Sequence, residues 1–314
     1  MPTLSIIILN WNTADLLLAC LHSIQTHVTL DYEIIVVDNA STDDSVAQVR
    51  AQFPQVRLLP QNANLGFSKG NNIGITAANA PYLLLLNPDT EVHPGALEAL
   101  VAFLETHPQA GIIGPTLWNP DGSLQPSTSP LPTLWIEFLR QTMLFRLFPT
   151  AEMRTAMHNE TQRVTNITGA AMCIRRECLT QIGLLDEQIF MFYEDTDWCK
   201  RARDAGWELW FVACSGVMHV KAAASSRFAR TRTLLDSQRS TIYYFRKHYG
   251  RSAITWLRLI TFCGAIVRTL RAMVNWLLKR NQADQAARLK AYGRMFIWAL
   301  SGKGLEREDA ITAV

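Results

Sequence analysis

Leu4-Ser5-Ile6-Ile7-Ile8-Leu9 runs without interruption into Asn10-Trp11-Asn12, and the reading of that junction decides the fold. A short, unbroken aliphatic run marks a strand buried on both faces, as in a parallel sheet. The polar residues that stop it stand at the strand's carboxyl end. The pattern recurs: Glu33-Ile34-Ile35-Val36-Val37 ends on Asp38-Asn39, and Tyr82-Leu83-Leu84-Leu85-Leu86 ends on Asn87-Pro88-Asp89. Between these strands, Asp15 to His27 and Thr42 to Phe53 carry apolar residues at helical spacing, the second opening on the capping-type string Ser41-Thr42-Asp43-Asp44. This order is βαβαβ. Ligands of open parallel sheets bind in the crevice outside the carboxyl ends of the strands, so three strand ends bring polar groups to one rim.

Further along, residues 115–165 read as a proline-rich insertion with a short apolar helix near Leu134 to Phe148. A strand is then expected over Thr165 to Ile174, a helix over Glu177 to Gly183, an acidic turn, and a helix from Thr196 to Ala205. A last core strand, Glu208 to Ala213, precedes Val217-Met218-His219.

The 314 residues exceed what one compact core usually holds, which predicts one catalytic domain with an appendage. With 48% hydrophobic and 18% charged residues the chain is globular, not disordered, and a mean hydropathy of +0.04 leaves excess apolar character to be placed. Six cysteines form no CxxC pair and no dense framework, which points to the reduced thiols of a cytosol. Met1 leads almost directly into a strand, without a basic leader or signal peptide, so a cytoplasmic protein is expected. The net charge of +3 divides unevenly: residues 1–219 hold 12 Lys+Arg against 22 Asp+Glu, whereas 220–294 hold 16 against 2. That split suits a tail meeting an acidic substrate or a membrane surface, with nucleic acid as the competing partner.

Several residues carry candidate chemistry, each with a structural alternative beside it. Asp38 can accept a hydrogen bond from a pyrimidine imide with Trp11 as an aromatic wall, or it can simply shape the turn after its strand. Asp89 can hold Mg²⁺ or Mn²⁺, hard ions that prefer oxygen and bridge phosphates, although Asn-Pro-Asp-Thr is also an ordinary turn string. His219 is either a hydrogen-bonded structural residue or an imidazole metal ligand. Glu194-Asp195-Thr196-Asp197 crowds three carboxylates beside apolar residues, where one can cap a helix and another, its pKa raised, can act as a general base. The segment from Asn64 through Gly66 to Asn72 can bring backbone amides near a phosphate or ribose. It fits neither GxGxxG nor GxxxxGK[ST], which argues against a dinucleotide dehydrogenase and a P-loop NTPase.

Taken in order, Leu4 to Asn12, Val36 to Asp43, Asn64-Leu65-Gly66-Phe67, Asn87-Pro88-Asp89, Thr168-Gly169-Ala170-Ala171 and Glu194 to Trp198 resemble the motifs of family 2 glycosyltransferases over roughly residues 3–220. The resemblance implies a GT-A fold, Rossmann-like with a mostly parallel central sheet, and an inverting single displacement. It makes Asn10, Trp11, Asp38, Asn64, Gly66, Asn87, Asp89 and Gly169 the nucleotide-sugar site, with Asp38 on the base. Asp89 becomes the metal end of the D-x-D motif, His219 a second metal ligand, Asp195 the general base with Glu194 beside it, and Mg²⁺ or Mn²⁺ the cofactor. The first acid of D-x-D is Asn87 here, which weakens the expected ribose contact. Asn-x-Gly-Phe, Asn-Pro-Asp and Tyr243 to Gly250 look most like bacterial rhamnosyltransferases of surface-polysaccharide assembly, which use dTDP-rhamnose; a UDP-sugar donor and a catalytically silent nucleotide-sugar-binding scaffold are the alternatives.

The expected division is a catalytic domain over residues 1–220, with its nucleotide half about 1–115 and its acceptor half about 116–220, followed by a basic helical tail over 221–314. In the tail, Arg258, Arg268 and Arg271 interrupt the apolar stretch Thr255 to Arg280, leaving no unbroken run of the roughly 20 residues a span requires. Thr261, Arg268, Arg271, Asn275 and Lys279 share one face of a helical wheel, and Trp256, Leu257, Ile260, Val267, Leu270, Val274 and Leu278 fill the rest. This is the pattern of an amphipathic helix lying on the inner face of the cytoplasmic membrane, near a lipid-linked or saccharide acceptor. A helix docked on the catalytic domain is the plainer alternative. Nucleic acid is disfavoured, because the basic residues are not interleaved with exposed stacking aromatics.

Overall fold

The computed structural model describes residues 1–148, 160–220, 230–278, 280–303 and 305. The elements run β1 (Leu4–Asn10), α1 (Ala14–His27), β2 (Tyr32–Asp38), α2 (Ser45–Gln52), β3 (Arg57–Pro60), α3 (Phe67–Ala77), β4 (Tyr82–Leu86) and β5 (Thr90–Val92). They continue through α4 (Ala96–Thr106), β6 (Ala110–Trp118), β7 (Leu124–Gln125), α5 (Leu134–Gln141), β8 (Gln162–Arg163), β9 (Ala171–Arg175) and α6 (Arg176–Ile182). The last are α7 (Glu194–Asp204), β10 (Glu208–His219), α8 (Arg230–Leu277) and α9 (Gln282–Ser301). Chain contacts separate two units: Met1–Leu131 with Ala151–Arg227, and Pro132–Thr150 with Phe228–Val314.

The first unit is a helix-flanked sheet in the order β3-β2-β1-β4-β9-β6-β10-β5, with β7 on β6 and β8 on β10. The four strands β3-β2-β1-β4 are parallel to one another, as are β6 and β10. Strand β9 runs antiparallel between β4 and β6. Side chains alternate between two cores. Leu4, Ile6, Ile8 and Val36 pack with α1 and α4 on one face, while Ile7, Ile35, Val37, Leu83 and Leu85 pack with α3 and α7 residues on the other. This double burial is the reason the strands read as continuous apolar runs.

Three expected elements are placed differently. The strand expected over Thr165 to Ile174 is β9 alone, because the preceding backbone bonds elsewhere: Thr168 N–H to the Ser127 carbonyl and Gly169 N–H to the Asp195 side chain. The acidic string is not a turn before a helix but the first turn of α7, where carboxylates meet the positive end of the helix. The last strand does not end at Ala213. Its pairing with β6 slips between Val212 and Gly216, so the small residues that read as a loop form a bulge and β10 continues to His219.

The second unit is helical. Helix α8 is broken at Gly250, whose φ of 79° and ψ of −175° lie where essentially only glycine is found. Before the break, Tyr244 and Phe245 are fully buried, and the Tyr249 hydroxyl donates to the Pro132 carbonyl at 2.8 Å. After it, part of the expected polar face turns inward, while Arg271 stays exposed. Thr261 is fully buried and accepts from Gln238 at 3.2 Å. Arg268 Nε donates to the Gln141 carbonyl at the end of α5 at 3.1 Å, and Arg258 Nε donates to the Ala299 carbonyl near the end of α9 at 2.9 Å. Guanidinium groups here satisfy carbonyls that a helix end leaves without partners. Leu257 and Ile260 are buried, whereas Trp256, Leu259, Val267, Leu270, Val274 and Leu278 are exposed. Lys279, expected on the polar face, lies outside the described residues. Helix α8 contains an 18-residue window with mean hydropathy 1.4, long and apolar enough by composition to cross a membrane despite its arginines.

Candidate active site

The site begins where β1 and β2 end in register, Asn10 opposite Asp38. Asn10 Nδ2 donates to Asp38 Oδ1 at 2.9 Å and to Ser41 Oγ at 3.1 Å, and the second Asp38 oxygen accepts the Ser41 N–H at 2.9 Å. Both oxygens therefore shape the turn, while each keeps a further lone pair for a ligand N–H. Trp11 follows, half-buried. Asn12 and Ala40 beside it adopt φ of 55° and 60°, unfavourable for residues with a Cβ, and Asn12 Oδ1 offsets this by accepting the Thr42 N–H at 2.6 Å.

A second loop closes over this rim. Asn39 Nδ2 donates to Asn64 Oδ1 at 2.9 Å, its Oδ1 accepts the Leu65 N–H at 2.8 Å, and Asn64 Oδ1 also accepts the Gly66 N–H at 3.0 Å. Gly66 then starts α3, which anchors the segment before α7: Phe67 N–H donates to the Phe190 carbonyl at 2.7 Å and Asn72 Nδ2 to the Leu185 carbonyl at 2.9 Å. That segment ends on Phe192 and Tyr193 at φ of 68° and 71°, two consecutive residues in a conformation normally left to glycine. Such strain persists only where the surroundings over-determine it, and it concentrates at functional sites.

The three carboxylates of α7 separate into different situations. Asp197 is fully buried and pairs with Arg201 at 2.8 Å, whose guanidinium also donates to the Leu184 carbonyl, so it is structural. Glu194 is buried and its Oε2 has no hydrogen-bond partner. Burial, then the neighbouring Asp195 charge, pushes its carboxyl well above the usual range. A carboxyl raised in this way contributes stability in its protonated form, present at low pH and lost as pH rises through the folded value. Asp195 keeps partial solvent access. Its Oδ2 accepts the Gly169 N–H at 2.9 Å and its Oδ1 the Thr196 N–H at 2.6 Å. Burial raises its pKa, and these donors pull part of the way back. An ionisable, partly open carboxylate with a raised pKa suits proton abstraction from a hydroxyl.

Asp89 and His219 meet beyond β4. Strand β10 pairs His219 with Thr90, Val220 N–H donates to the Asp89 carbonyl at 2.8 Å, and Asp89 Oδ1 lies 3.4 Å from His219 Nε2. His219 Nε2 is buried with no hydrogen-bond partner. Two ligands about 2.1 Å from one ion, at roughly a right angle or slightly wider, stand about 3.0–3.4 Å apart, so the pair fits a hard divalent cation. Among the described residues no three His, Cys, Asp or Glu side chains cluster, so phosphate and water oxygens would complete the shell.

Main-chain bonds string these groups along one edge. Asn87 N–H donates to the Ala170 carbonyl at 2.9 Å, Gly169 beside it donates to Asp195, and Asp89 follows two residues after Asn87. Asp195, Gly169, Asn87, Asp89 and His219 thus belong to one rim, with Asp38 and Asn10 on the adjoining strand ends. Sequence reasoning passed over Asn39, Ser41 and Gln125. Asn39 and Ser41 lay inside motifs already quoted, but Gln125 stands among prolines and serines without local signal.

Comparison with known proteins supplies independent findings. The family profile described as "Glycosyltransferase like family 2" matches residues 2–236. An N-acetylglucosaminyl-diphospho-decaprenol L-rhamnosyltransferase from Mycobacterium tuberculosis is 29% identical over 267 residues, covering 79% of this chain and 85% of the relative. A low-salt glycan biosynthesis hexosyltransferase from Haloferax volcanii is 25% identical over 275 residues, covering 85% of this chain and 84% of the relative. Among solved structures, S. aureus TarS 1-349 aligns with a TM-score of 0.51 at 13% identity, covering 96% of this chain and 92% of that one. GalNAc-T7 solved with UDP, GalNAc and Mn²⁺ aligns with a TM-score of 0.54 at 20% identity, covering 70% of this chain and 43% of that one. The two structural likenesses show the fold.

Proposed function

The chain belongs to glycosyltransferase family 2, and we propose that it moves rhamnose from dTDP-rhamnose to a hydroxyl of a lipid-linked saccharide in cell-surface polysaccharide synthesis. The observation that carries this reading is the shared rim of Asp195, Asp89 and His219. In the reaction Asp195 takes the acceptor's hydroxyl proton, the acceptor oxygen attacks the anomeric carbon, and the bond from that carbon to the diphosphate oxygen breaks with inversion. Asp89 and His219 would hold a divalent ion, Mg²⁺ or Mn²⁺, which would offset negative charge on the departing diphosphate. Asp38 receives the base N–H, with Asn10 and Ser41 fixing its carboxylate. The rhamnosyl group and the lipid-linked acceptor rest on the mycobacterial relative, the glycan-synthesis setting also on the archaeal one, and the dTDP carrier on the motifs of the chain.

A thermal-shift panel of dTDP-, UDP- and GDP-sugars with and without Mn²⁺ tests the donor. Ligand at about 100 times its Kd adds roughly 2.7 kcal/mol of apparent stability, and dTDP-rhamnose with Mn²⁺ should give the largest rise. A larger rise with a UDP-sugar would replace the donor assignment. No rise with any donor would end the transferase reading. Binding without turnover would point to the silent scaffold.

The helical unit supports a position on the inner face of the cytoplasmic membrane. Its exposed apolar side chains on α8, with Ile297 and Leu300 on α9, form the surface that would enter the lipid; Arg258 and Arg268 are drawn into carbonyl contacts, and the exposed Arg271 would meet anionic headgroups. The triple variant Leu259→Gln, Leu270→Gln and Val274→Gln should lose flotation with anionic vesicles while keeping donor-induced thermal shifts. Undiminished flotation would discard this surface.

A further inference from the structure

We propose that Gln125 is a positioning residue that dictates which imidazole nitrogen His219 turns toward the metal. The inference rests on the reading that Asp89 and His219 hold the donor's divalent ion. Gln125 is buried, and its amide is oriented by groups that can only accept. Its Nε2 donates to the His219 main-chain carbonyl at 3.2 Å and to Asn119 Oδ1 at 2.8 Å. Asn119 is oriented in turn, because its own Nδ2 donates to the Leu124 carbonyl at 3.4 Å and to Ser123 Oγ at 2.9 Å. Two backbone carbonyls therefore fix the polarity of the whole chain of bonds.

The consequence falls on the ring. Gln125 Oε1 faces His219 Nδ1 at 2.7 Å and can only accept, so the neutral imidazole carries its hydrogen on Nδ1. Nε2 is then a bare lone pair, buried, without a hydrogen-bond partner, and 3.4 Å from Asp89 Oδ1. The Nε2 lone pair is thus directed at the carboxylate edge where a cation held by Asp89 would stand. The opposite tautomer would let Nε2–H donate to Asp89 and close the site without an ion. By holding Nδ1–H, Gln125 keeps the pair open for metal, and such outer contacts typically contribute 10- to 100-fold in metal affinity.

Two measurements on the full chain test this. In the metal-free protein, long-range ¹H–¹⁵N correlation NMR reads the tautomer directly, and His219 should carry its hydrogen on Nδ1. A hydrogen on Nε2 overturns the proposal, and this arm needs no variant to fold. Mn²⁺ titration followed by electron paramagnetic resonance, with dTDP present, then compares the wild type, Gln125→Met and His219→Ala. Gln125→Met, which keeps the length and removes the acceptor, should weaken Mn²⁺ binding about 10- to 100-fold. Unchanged affinity in Gln125→Met alongside a loss in His219→Ala would sink the role of Gln125 and leave the metal reading intact. A wild type that takes up no Mn²⁺ would sink the metal reading, and this inference with it.

Discussion

Asp195→Asn should lower kcat by about 10²- to 10⁴-fold, the range a positioned general base contributes, while dTDP-rhamnose with Mn²⁺ still raises the melting temperature as in the wild type. The separation follows from the geometry. Asp195 is held by the Gly169 and Thr196 N–H groups, whereas the base-binding Asp38 ends β2 and the metal pair is Asp89, after β4, with His219 at the end of β10. Asparagine keeps the side chain's size and one acceptor oxygen, so the Gly169 bond can persist while the proton acceptor is gone. The pH profile adds a sign. Because burial raises the Asp195 pKa, the active, ionised form is lost on acidification earlier than an ordinary carboxylate near 4 would lose it. Turnover in the wild type should therefore fall from a higher pH than a surface aspartate would give. Equal loss of donor binding and turnover in Asp195→Asn would contradict the assignment.

Gly66→Ala should be the most damaging small change in the structure. Gly66 sits at φ 83° and ψ −179°, a region essentially reserved for glycine, where other residues cost about 1–3 kcal/mol. A Cβ there would also stand 2.7 Å from Phe190 Cε2 and 2.8 Å from the Phe190 carbonyl oxygen, the same oxygen that accepts the Phe67 N–H. Overpacking of this kind costs a further 1–3 kcal/mol or so. The combined loss of about 2–6 kcal/mol is a large part of an ordinary domain's 5–15 kcal/mol. Because the displaced segment leads through Tyr193 into Glu194 and Asp195, turnover should fall along with the urea midpoint. A midpoint within about 0.5 kcal/mol of wild type, the usual scatter of an inert substitution, would show that the Phe190 contact gives way without cost.

How much of this was legible in the sequence depends on where each signal resides. The strands β1, β2 and β4 were readable because burial on both faces writes an unbroken aliphatic run, and the rim followed from their carboxyl ends. The end of β10 was hidden, since Ala213-Cys214-Ser215-Gly216 reads as a loop when the bulge that keeps it in the sheet depends on β6. The acidic string was read as crowded, but only the fold separates Asp197, committed to Arg201, from Asp195 on the rim. Gln125 was invisible for a similar reason: its decisive partner His219 lies 94 residues further along the chain. On α8 the wheel grouped Thr261, Arg268 and Arg271, but the fold divides them: Thr261 is buried and Arg268 is bonded to the end of α5, while Arg271 is exposed. A helical wheel says which residues share a face, whereas inward or outward is decided by neighbours, here the carbonyl ends of α5 and α9.

Those carbonyl ends change how the arginines of α8 should be counted. A hydropathy scale charges each guanidinium the full penalty of an isolated ion entering oil. Arg258 and Arg268 instead travel with their own counter-poles, the negative ends of two helix dipoles. Exchanging either for leucine would make the sequence greasier and the folded surface more polar, because a bare carbonyl would take the place of a closed electrostatic circuit.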